Sequence, residues 1–318
     1  MKYYMAPLEG ITTYVYRNAY HSCFHKMDKY FTPFLQANKN KNIKSKGLKD
    51  VIPEHNQGLF VVPQILTNNA EDFIWAAKQL EQLGYSEINL NLGCPSRTVV
   101  TKFKGSGFLA KPEELNQFLN MIFEKTKIKI SIKTRIGLES AEEFTNLLEI
   151  YNQYPLAELI IHPRTQKDYY SGGLNLQVFQ EALEKSKNPI CYNGDIVTVS
   201  KYEEFRKQFS QVNTLMLGRG IIANPSLIDS IETSPSLKKE ILRTFHDKIY
   251  YEYQELMSGD RNVLFKMKEI WFYMVGLFEA AQKLGKKIRK VEKMCDYDVI
   301  IDRLFEECDL KLLDRNRF

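Results

Sequence analysis

The chain has 318 residues, 44% of them hydrophobic, and a formal net charge of +5. That length supports one large domain, or a large domain with a small companion, and the mild positive excess suits an anionic partner without requiring one. The five cysteines, at 23, 94, 191, 295 and 308, are widely spaced and odd in number, which excludes a disulfide framework or zinc spacing and makes a reducing cytoplasm the expected location. The opening MKYYMAPLEG lacks the apolar core of a signal peptide. No apolar run approaches the length of a membrane span.

In chain order, eight short β-rich runs are predicted at 3–6, 29–32, 60–65, 87–92, 128–134, 159–162, 189–192 and 214–217. Several are nearly continuous apolar runs, as in a parallel sheet covered on both faces. The segments between them have helical spacing. Within 70–83, Phe73, Ala76, Ala77 and Leu80 fall on one side and Gly84 marks the end. Further helices are predicted from Pro112 through 115–123, over 138–151 and over 176–182. Eight strand–helix units predict an α/β fold, a closed (β/α)8 TIM barrel, over 1–225. A Rossmann sheet would show GxGxxG directly after a strand. None is present, and the GSG at 105–107 reads as a loop. The stretch 224–236, with Pro225, Pro235 and several serines, reads as a connection. Beyond it, 237–253, 263–284 and 298–313 carry long helical patterns and no strand pattern, so a C-terminal all-helical domain is predicted over 236–318.

A barrel takes its active-site groups from the C-terminal ends of different strands. Those ends carry Met5-Ala6-Pro7, Gln64, Asn91 with Cys94, Lys133 with Arg135, His162 with Arg164, Asn193-Gly194-Asp195 and Gly218-Arg219-Gly220. The last two sets sit where many barrels bind phosphate. Glycine permits close backbone approach there and Arg219 adds positive charge; two ordinary turns are the plainer alternative. Lys133 ends an otherwise apolar strand, and either stabilises negative charge on a bound ring or pairs with a neighbouring carboxylate. His162 is a donor to a cofactor, a proton-transfer group or a structural histidine. Cys94 lies just past the fourth strand, between Gly93 and Pro95 and beside Asn91, a setting the other four cysteines lack. A buried structural thiol is the ordinary reading of a cysteine, and the tight turn favours a placed one. The remaining histidines show no metal spacing, and strand-end carboxylates are too few for a glycosidase-type pair.

These segments resemble the tRNA-dihydrouridine synthase family. The matching stretches are MAPLEGIT at 5–12, Arg17, NLNLGCPS at 89–96, KTRIG at 133–137, HPRTQKDYYSG at 162–172, YNGDI at 192–196 and LGRG at 217–220. They follow the family's order along the whole barrel, and similarity over the C-terminal region is looser. The resemblance implies FMN at the barrel mouth. Met5, Ala6 and Pro7 would line its ring, with Gln64, Lys133 and His162 on the ring or its chain. Asn193, Gly194, Asp195, Gly218 and Arg219 would surround its phosphate. It further implies NADPH as reductant, with NADH a possible substitute, and hydride transfer to C6 of a D-loop uridine in tRNA. Cys94 would protonate C5, Asn91 would help hold the base, and Arg135 and Arg164 would face the base or the RNA. One departure is Thr13, where the family often has aspartate.

A basic run of Lys283, Lys286, Lys287, Arg289, Lys290 and Lys293, with Lys268 ahead of Trp271-Phe272-Tyr273, then reads as a tRNA-facing surface. A solvated helix face is the alternative for the run, and core packing for most of the aromatic patch. A second run, Lys39, Lys41, Lys44, Lys46 and Lys49, would touch RNA or be merely soluble. No metal and no membrane partner is expected, and a monomer suffices for the chemistry. A flavin barrel reducing a free pyrimidine or enone, and a non-catalytic RNA-binding barrel, are the rival readings.

Overall fold

A computed structural model of the chain describes residues 1–36, 45–233 and 237–311. Most of the second basic run, Lys39, Lys41 and Lys44, lies outside the described residues, as does the side chain of Lys46.

The apolar runs become strands of one sheet: β1 (Lys2–Met5), β2 (Lys29–Phe31), β3 (Val61–Val62), β4 (Gln64–Ile65), β5 (Glu87–Leu92), β6 (Lys129–Arg135), β7 (Leu159–His162), β8 (Ile190–Tyr192) and β9 (Thr214–Leu217). Their spatial order is β3-β2-β1-β9-β8-β7-β6-β5-β4. The pairs β1–β2, β2–β3, β4–β5, β5–β6, β6–β7, β7–β8 and β8–β9 all run parallel. The two ends of that order, β3 and β4, are separated in sequence only by Pro63, so the sheet nearly closes into a barrel. Proline has no N–H to give the ladder, and this splits the run predicted at 60–65. The Pro63 carbonyl still accepts from Asn89 N at 2.9 Å. Every residue of β5, β7 and β9 is buried, as expected for strands covered on both faces.

Helices follow the strands where the apolar spacing places them. Ala70–Gln82 starts on Asn69, whose side chain accepts from Asp72 N, and buries Phe73, Ala76, Ala77 and Leu80. The segment predicted as helix over 138–151 is helical only from Glu143 to Tyr151. The Glu143 carboxylate takes the N–H groups of Leu138, Glu139 and Ser140, each at 2.8 Å. Those three donors are committed to a turn and cannot open a helix. The connection expected over 224–236 contains the helix Leu227–Glu232, which buries Leu227 and Ile228.

Two compact units divide the chain. The first comprises Met1–Pro7, Asp28–Gly194 and Gln211–Met216, and the second comprises Leu8–Met27, Asp195–Ser210 and the chain from Leu217 onward. The second unit is helical. Its principal helices are Tyr14–Cys23, Lys239–Leu256, Asp260–Met274, Gln282–Lys290 and Met294–Glu307. The pattern predicted over 263–284 is interrupted by the 3-10 turn Val275–Leu277 and by Ala280, which has φ +52°. Aromatic edges join the first of these helices to the second: Tyr16 and Phe24 lie 5.3 and 5.2 Å from Phe245 between ring centroids. Among the described residues no helix is long and apolar enough to cross a membrane.

Candidate active site

Parallel register brings polar side chains of neighbouring strands into rows within the first unit. Gln64 on β4 pairs with Asn89 on β5, which pairs with Ser131 on β6. Their side chains form a chain of hydrogen bonds: Gln64 Nε2 donates to Asn89 Oδ1 at 2.7 Å, and Asn89 Nδ2 donates to Ser131 Oγ at 3.0 Å. All three residues are fully buried, and the network satisfies the polar groups that burial would otherwise penalise. Two residues further along, Asn91 faces Lys133, and Arg135 then faces His162. The period of two in each strand puts these rows in layers toward the C-terminal ends.

Asn91 connects the polar row to the cysteine turn. Its Nδ2 donates to Gln64 Oε1 at 2.6 Å, and its Oδ1 accepts from Gly93 N at 3.0 Å and Cys94 N at 2.9 Å. Arg135 holds the same turn from β6. Its Nε donates to the Gly93 carbonyl at 3.0 Å, its NH1 to the Thr165 carbonyl at 2.7 Å, and its guanidinium lies 5.3 Å from the Tyr170 ring centroid. At 2% exposure Arg135 acts from within the fold, bracing two loops. Gln166 Nε2 donates to the Pro95 carbonyl at 3.4 Å. The Cys94 carbonyl accepts twice from Ser106, from its Oγ at 2.8 Å and its N at 3.2 Å. The Cys94 residue itself is half-buried. Sequence reading assigns the GSG at 105–107 to a loop and gives Ser106 no role. The signal was the pair of glycines around it, and its meaning depends on a contact twelve residues away in sequence.

Among the described residues, the Lys133 ammonium makes no hydrogen bond or ion pair. Burial and the neighbouring Arg135 push its ammonium down to about 8, against a smaller opposing influence of Cys191 and Cys94. The alternative of a pairing carboxylate for Lys133 is therefore not realised among the described residues. Cys191 is buried in the core, and burial pushes its thiol well above the ordinary value.

His162 is 8% exposed, and Arg164 NH1 lies 3.3 Å from its Nε2. A guanidinium can only donate, so in this contact Nε2 accepts and Nδ1 is the ring nitrogen that carries a proton. Arg164 Nε also donates to the Gly172 carbonyl at 2.6 Å, closing the loop after β7 on itself. Asp168 helps fold that loop by accepting from Thr165 N at 2.9 Å and Thr165 Oγ1 at 2.8 Å. Met5 and Ala6 are buried and Pro7 half-buried at the end of β1. Asn193, after β8, donates through Nδ2 to the Met216 carbonyl at 2.8 Å. Gly194 is required sterically, because a Cβ there would collide with the Tyr192 ring.

The second unit holds the other residues singled out by sequence. Arg219 NH2 pairs with Asp195 Oδ1 at 2.6 Å, and Gly218 precedes the short helix Arg219–Ala223. Thr13 shares a 2.9 Å hydrogen bond with the Tyr253 hydroxyl. Arg17 is buried and donates to the Thr12 carbonyl at 2.9 Å. Lys268 is half-buried, and its neighbour Lys266, not singled out by sequence, is buried with Nζ 2.7 Å from the Gly10 carbonyl. Lys283, Lys286, Lys287, Arg289 and Lys290 are exposed on the helix Gln282–Lys290, and Lys293 is exposed just beyond it. In the aromatic patch, Trp271 is buried and Phe272 is 65% exposed.

A probable tRNA-dihydrouridine synthase of Staphylococcus aureus (strain COL) is 26% identical over 323 residues, covering 96% of this chain and 93% of its own. That of Rickettsia conorii is 28% identical over 221 residues, 66% of each chain. Among solved structures, morphinone reductase superposes with a TM-score of 0.51 at 12% identity, over 77% of this chain and 88% of its own, a likeness of fold. The model of the family described as dihydrouridine synthase (Dus) matches residues 4–307. With that match across nearly its whole length, the chain belongs to the dihydrouridine synthase family.

Proposed function

We propose that the protein is an FMN-dependent tRNA-dihydrouridine synthase, in which Cys94 acts as the general acid. The observation that carries this reading is the pairing of Asn91 and Lys133 on adjacent strands. Asn91 anchors the turn that bears the half-buried Cys94, and Lys133 is an ammonium with no partner among the described residues. Such a charge in a partly buried position is costly unless a ligand accepts from it. A flavin pyrimidine edge is a fitting acceptor, and the unpartnered ammonium is what favours FMN at this site. The ring contacts would come from Met5, Ala6, Pro7, Gln64, Lys133 and His162. Asn193, Gly194, Asp195, Gly218 and Arg219 are the proposed phosphate residues, with Asp195 orienting the Arg219 guanidinium.

When bound and reduced by NADPH, FMN supplies the hydride for C6 of a D-loop uridine. The remaining requirement is a proton at C5. A thiol with a reference pKa near 8.5 is mostly neutral at about pH 7 and can donate. Cys94 gives that proton and returns to the thiol by taking one from solvent. Asn91 and Arg135 hold the turn, so that the thiol need not be oriented at each turnover. Arg164 NH1 donates to His162 Nε2 and so leaves Nδ1 as the ring nitrogen able to donate. The base leaves its stack to reach the thiol, at a cost of about a few kcal/mol, least in a loop. On this reading residues 1–225 are catalytic and 236–318 bind tRNA, with Lys268, Lys286, Lys287, Arg289 and Lys290 contacting its phosphates and Asn91, Arg135 and Arg164 serving the base pocket.

Two measurements test the proposal together. Dihydrouridine mapped by position in tRNA from a deletion strain should vanish at one or more D-loop sites and return with the wild-type gene. Cys94→Ala should keep FMN and its reduction by NADPH while losing most turnover on tRNA. Unchanged dihydrouridine in a strain with no overlapping enzyme rejects the tRNA reaction, and near-normal turnover by Cys94→Ala rejects the acid role.

A further inference from the structure

We infer that Ser106 is a positioning residue that sets the direction of the Cys94 thiol by holding the Cys94 carbonyl. The inference rests on the acid role proposed for Cys94. The Cα–Cβ bond leaves the backbone in a direction fixed by the two flanking peptide planes, and φ and ψ then limit the rotamers open to the thiol, so holding the peptide groups on both sides narrows where the sulfur can lie. On the N-terminal side, Asn91 Oδ1 takes the N–H groups of Gly93 and Cys94 and Arg135 holds the Gly93 carbonyl. On the C-terminal side, Ser106 holds the Cys94 carbonyl through both Oγ, at 2.8 Å, and N, at 3.2 Å.

The two glycines around Ser106 explain why this loop can reach the turn. Gly105 has φ +56°, and a Cβ there would lie 2.8 Å from Cys94 O and 3.0 Å from Cys94 Cβ. A Cβ at Gly107 would lie 2.6 Å from the Val100 carbonyl. Both positions exclude a side chain, so the backbone presses directly on the cysteine turn and on the helix Arg97–Val100 that follows it. Ser106 itself is 0% exposed, and its hydroxyl has no access to solvent or to RNA. Its hydroxyl can influence turnover only through the groups it touches. Those groups are the backbone of the residue proposed to deliver the proton, where a displacement of about 1 Å can cost about a hundredfold in rate.

Ser106→Ala keeps the backbone bond and removes the shorter one. In the FMN-loaded enzyme, the variant should reduce flavin with NADPH at the wild-type rate. Its kcat on tRNA should fall about tenfold, with KM for tRNA within twofold. Placed on a Cys94→Ala background, and read in single turnover, Ser106→Ala should add no further loss, because a residue acting through Cys94 has nothing left to position. An equal loss on both backgrounds, or wild-type kcat for Ser106→Ala beside an inactive Cys94→Ala, overturns the positioning role and leaves the acid role standing. Near-normal turnover by Cys94→Ala instead removes the acid role. Should Ser106→Ala fail to retain flavin, Ser106→Thr carries the test. With its hydroxyl retained it should keep flavin and at least a third of wild-type kcat, and a kcat tenfold down with KM unchanged overturns the proposal.

Discussion

Lys133 shows how a strand places a costly group. Its neighbours in β6 are Ile132 and Thr134, both fully buried, and the strand continues only because the sheet holds it. The ammonium is pushed down to about 8 from an ordinary value of 10.5, first by burial and then by Arg135. Between those two values the folded chain binds fewer protons than the unfolded chain. The contribution of this group to stability therefore rises with pH across that window, and is lost as pH falls through about 8. At pH 7 the charge is present in both states and its partial desolvation opposes folding. Lys133→Met should then stabilise the flavin-free protein at pH 7 by about 1–2 kcal/mol, after discounting for partial exposure. The gain should shrink as pH approaches 10, while turnover is lost. Urea unfolding of both proteins at pH 7 and pH 10 measures this, and a Met variant no more stable at pH 7 would show that the site is not strained by the charge. The residue types at the strand ends were legible because strand ends can be found from apolar runs. Their partners were not. Arg135 reads as a group for the base pocket or the RNA, and nothing in the sequence shows that its Nε and NH1 hold the Gly93 and Thr165 carbonyls, a bond pattern between loops that only folding creates.

At the scale of elements, legibility followed the strength of the pattern. Strands 87–92, 159–162 and 214–217 read correctly to the residue, since each is a short run rich in Leu, Ile or Met, with 87–92 alternating apolar and polar residues. The helix Val199–Gln208 was passed over, since VSKYEEFRKQ buries only Phe205 and shows almost no periodicity. The third strand was read whole because periodicity is blind to a missing N–H at Pro63. In the helical region the sequence hides a polar network inside an apolar pattern. Trp271 Nε1 donates to the Tyr297 hydroxyl at 2.7 Å, and that hydroxyl lies 2.8 Å from His246 Nε2. With its oxygen accepting from Trp271, Tyr297 donates to Nε2, so the proton of His246 sits on Nδ1, 2.8 Å from Asp247 Oδ1. Three helices, Lys239–Leu256, Asp260–Met274 and Met294–Glu307, meet at this one hydroxyl. Burial lowers the His246 pKa against the opposing pull of Asp247. Its contribution to stability is therefore present above about pH 6.5 and is lost as pH falls below it. Tyr297→Phe strands a buried indole N–H and a buried imidazole nitrogen. It should cost about 2–3 kcal/mol in urea unfolding at pH 7, with kcat on tRNA within twofold. A cost under about 0.5 kcal/mol would mean that water replaces the hydroxyl.

For the molecule as a whole, the two compact units are assembled from separate stretches of chain. The helix Tyr14–Cys23 belongs with the C-terminal helices because its aromatic face, Tyr16 with Tyr20, needs Phe245 to cover it. Charge is distributed as unevenly as hydrophobicity. A net charge of +5 is small for 318 residues, but five of the nine residues of Gln282–Lys290 are basic, and all five are exposed while Leu284 and Ile288 face inward. A helix with this division has a packed side and a side free to meet phosphates. The proposal that it meets tRNA makes a salt-dependence prediction that activity alone does not. Replacing Lys286, Lys287 and Lys290 together with alanine, a good helix former, should leave flavin reduction by NADPH and kcat on tRNA within twofold of wild type. KM for tRNA should rise by about ten- to a hundredfold at moderate salt. The slope of log kcat/KM against log salt should also become shallower by about 0.7–0.9 for each phosphate contact removed, hence by about 2–3 for the three lysines. A raised KM with an unchanged slope would point to a loss of structure in the helix, whereas a shallower slope ties the loss to counterion release. If neither quantity moves, this face only solvates the protein, and the tRNA must be held by other cations of the chain.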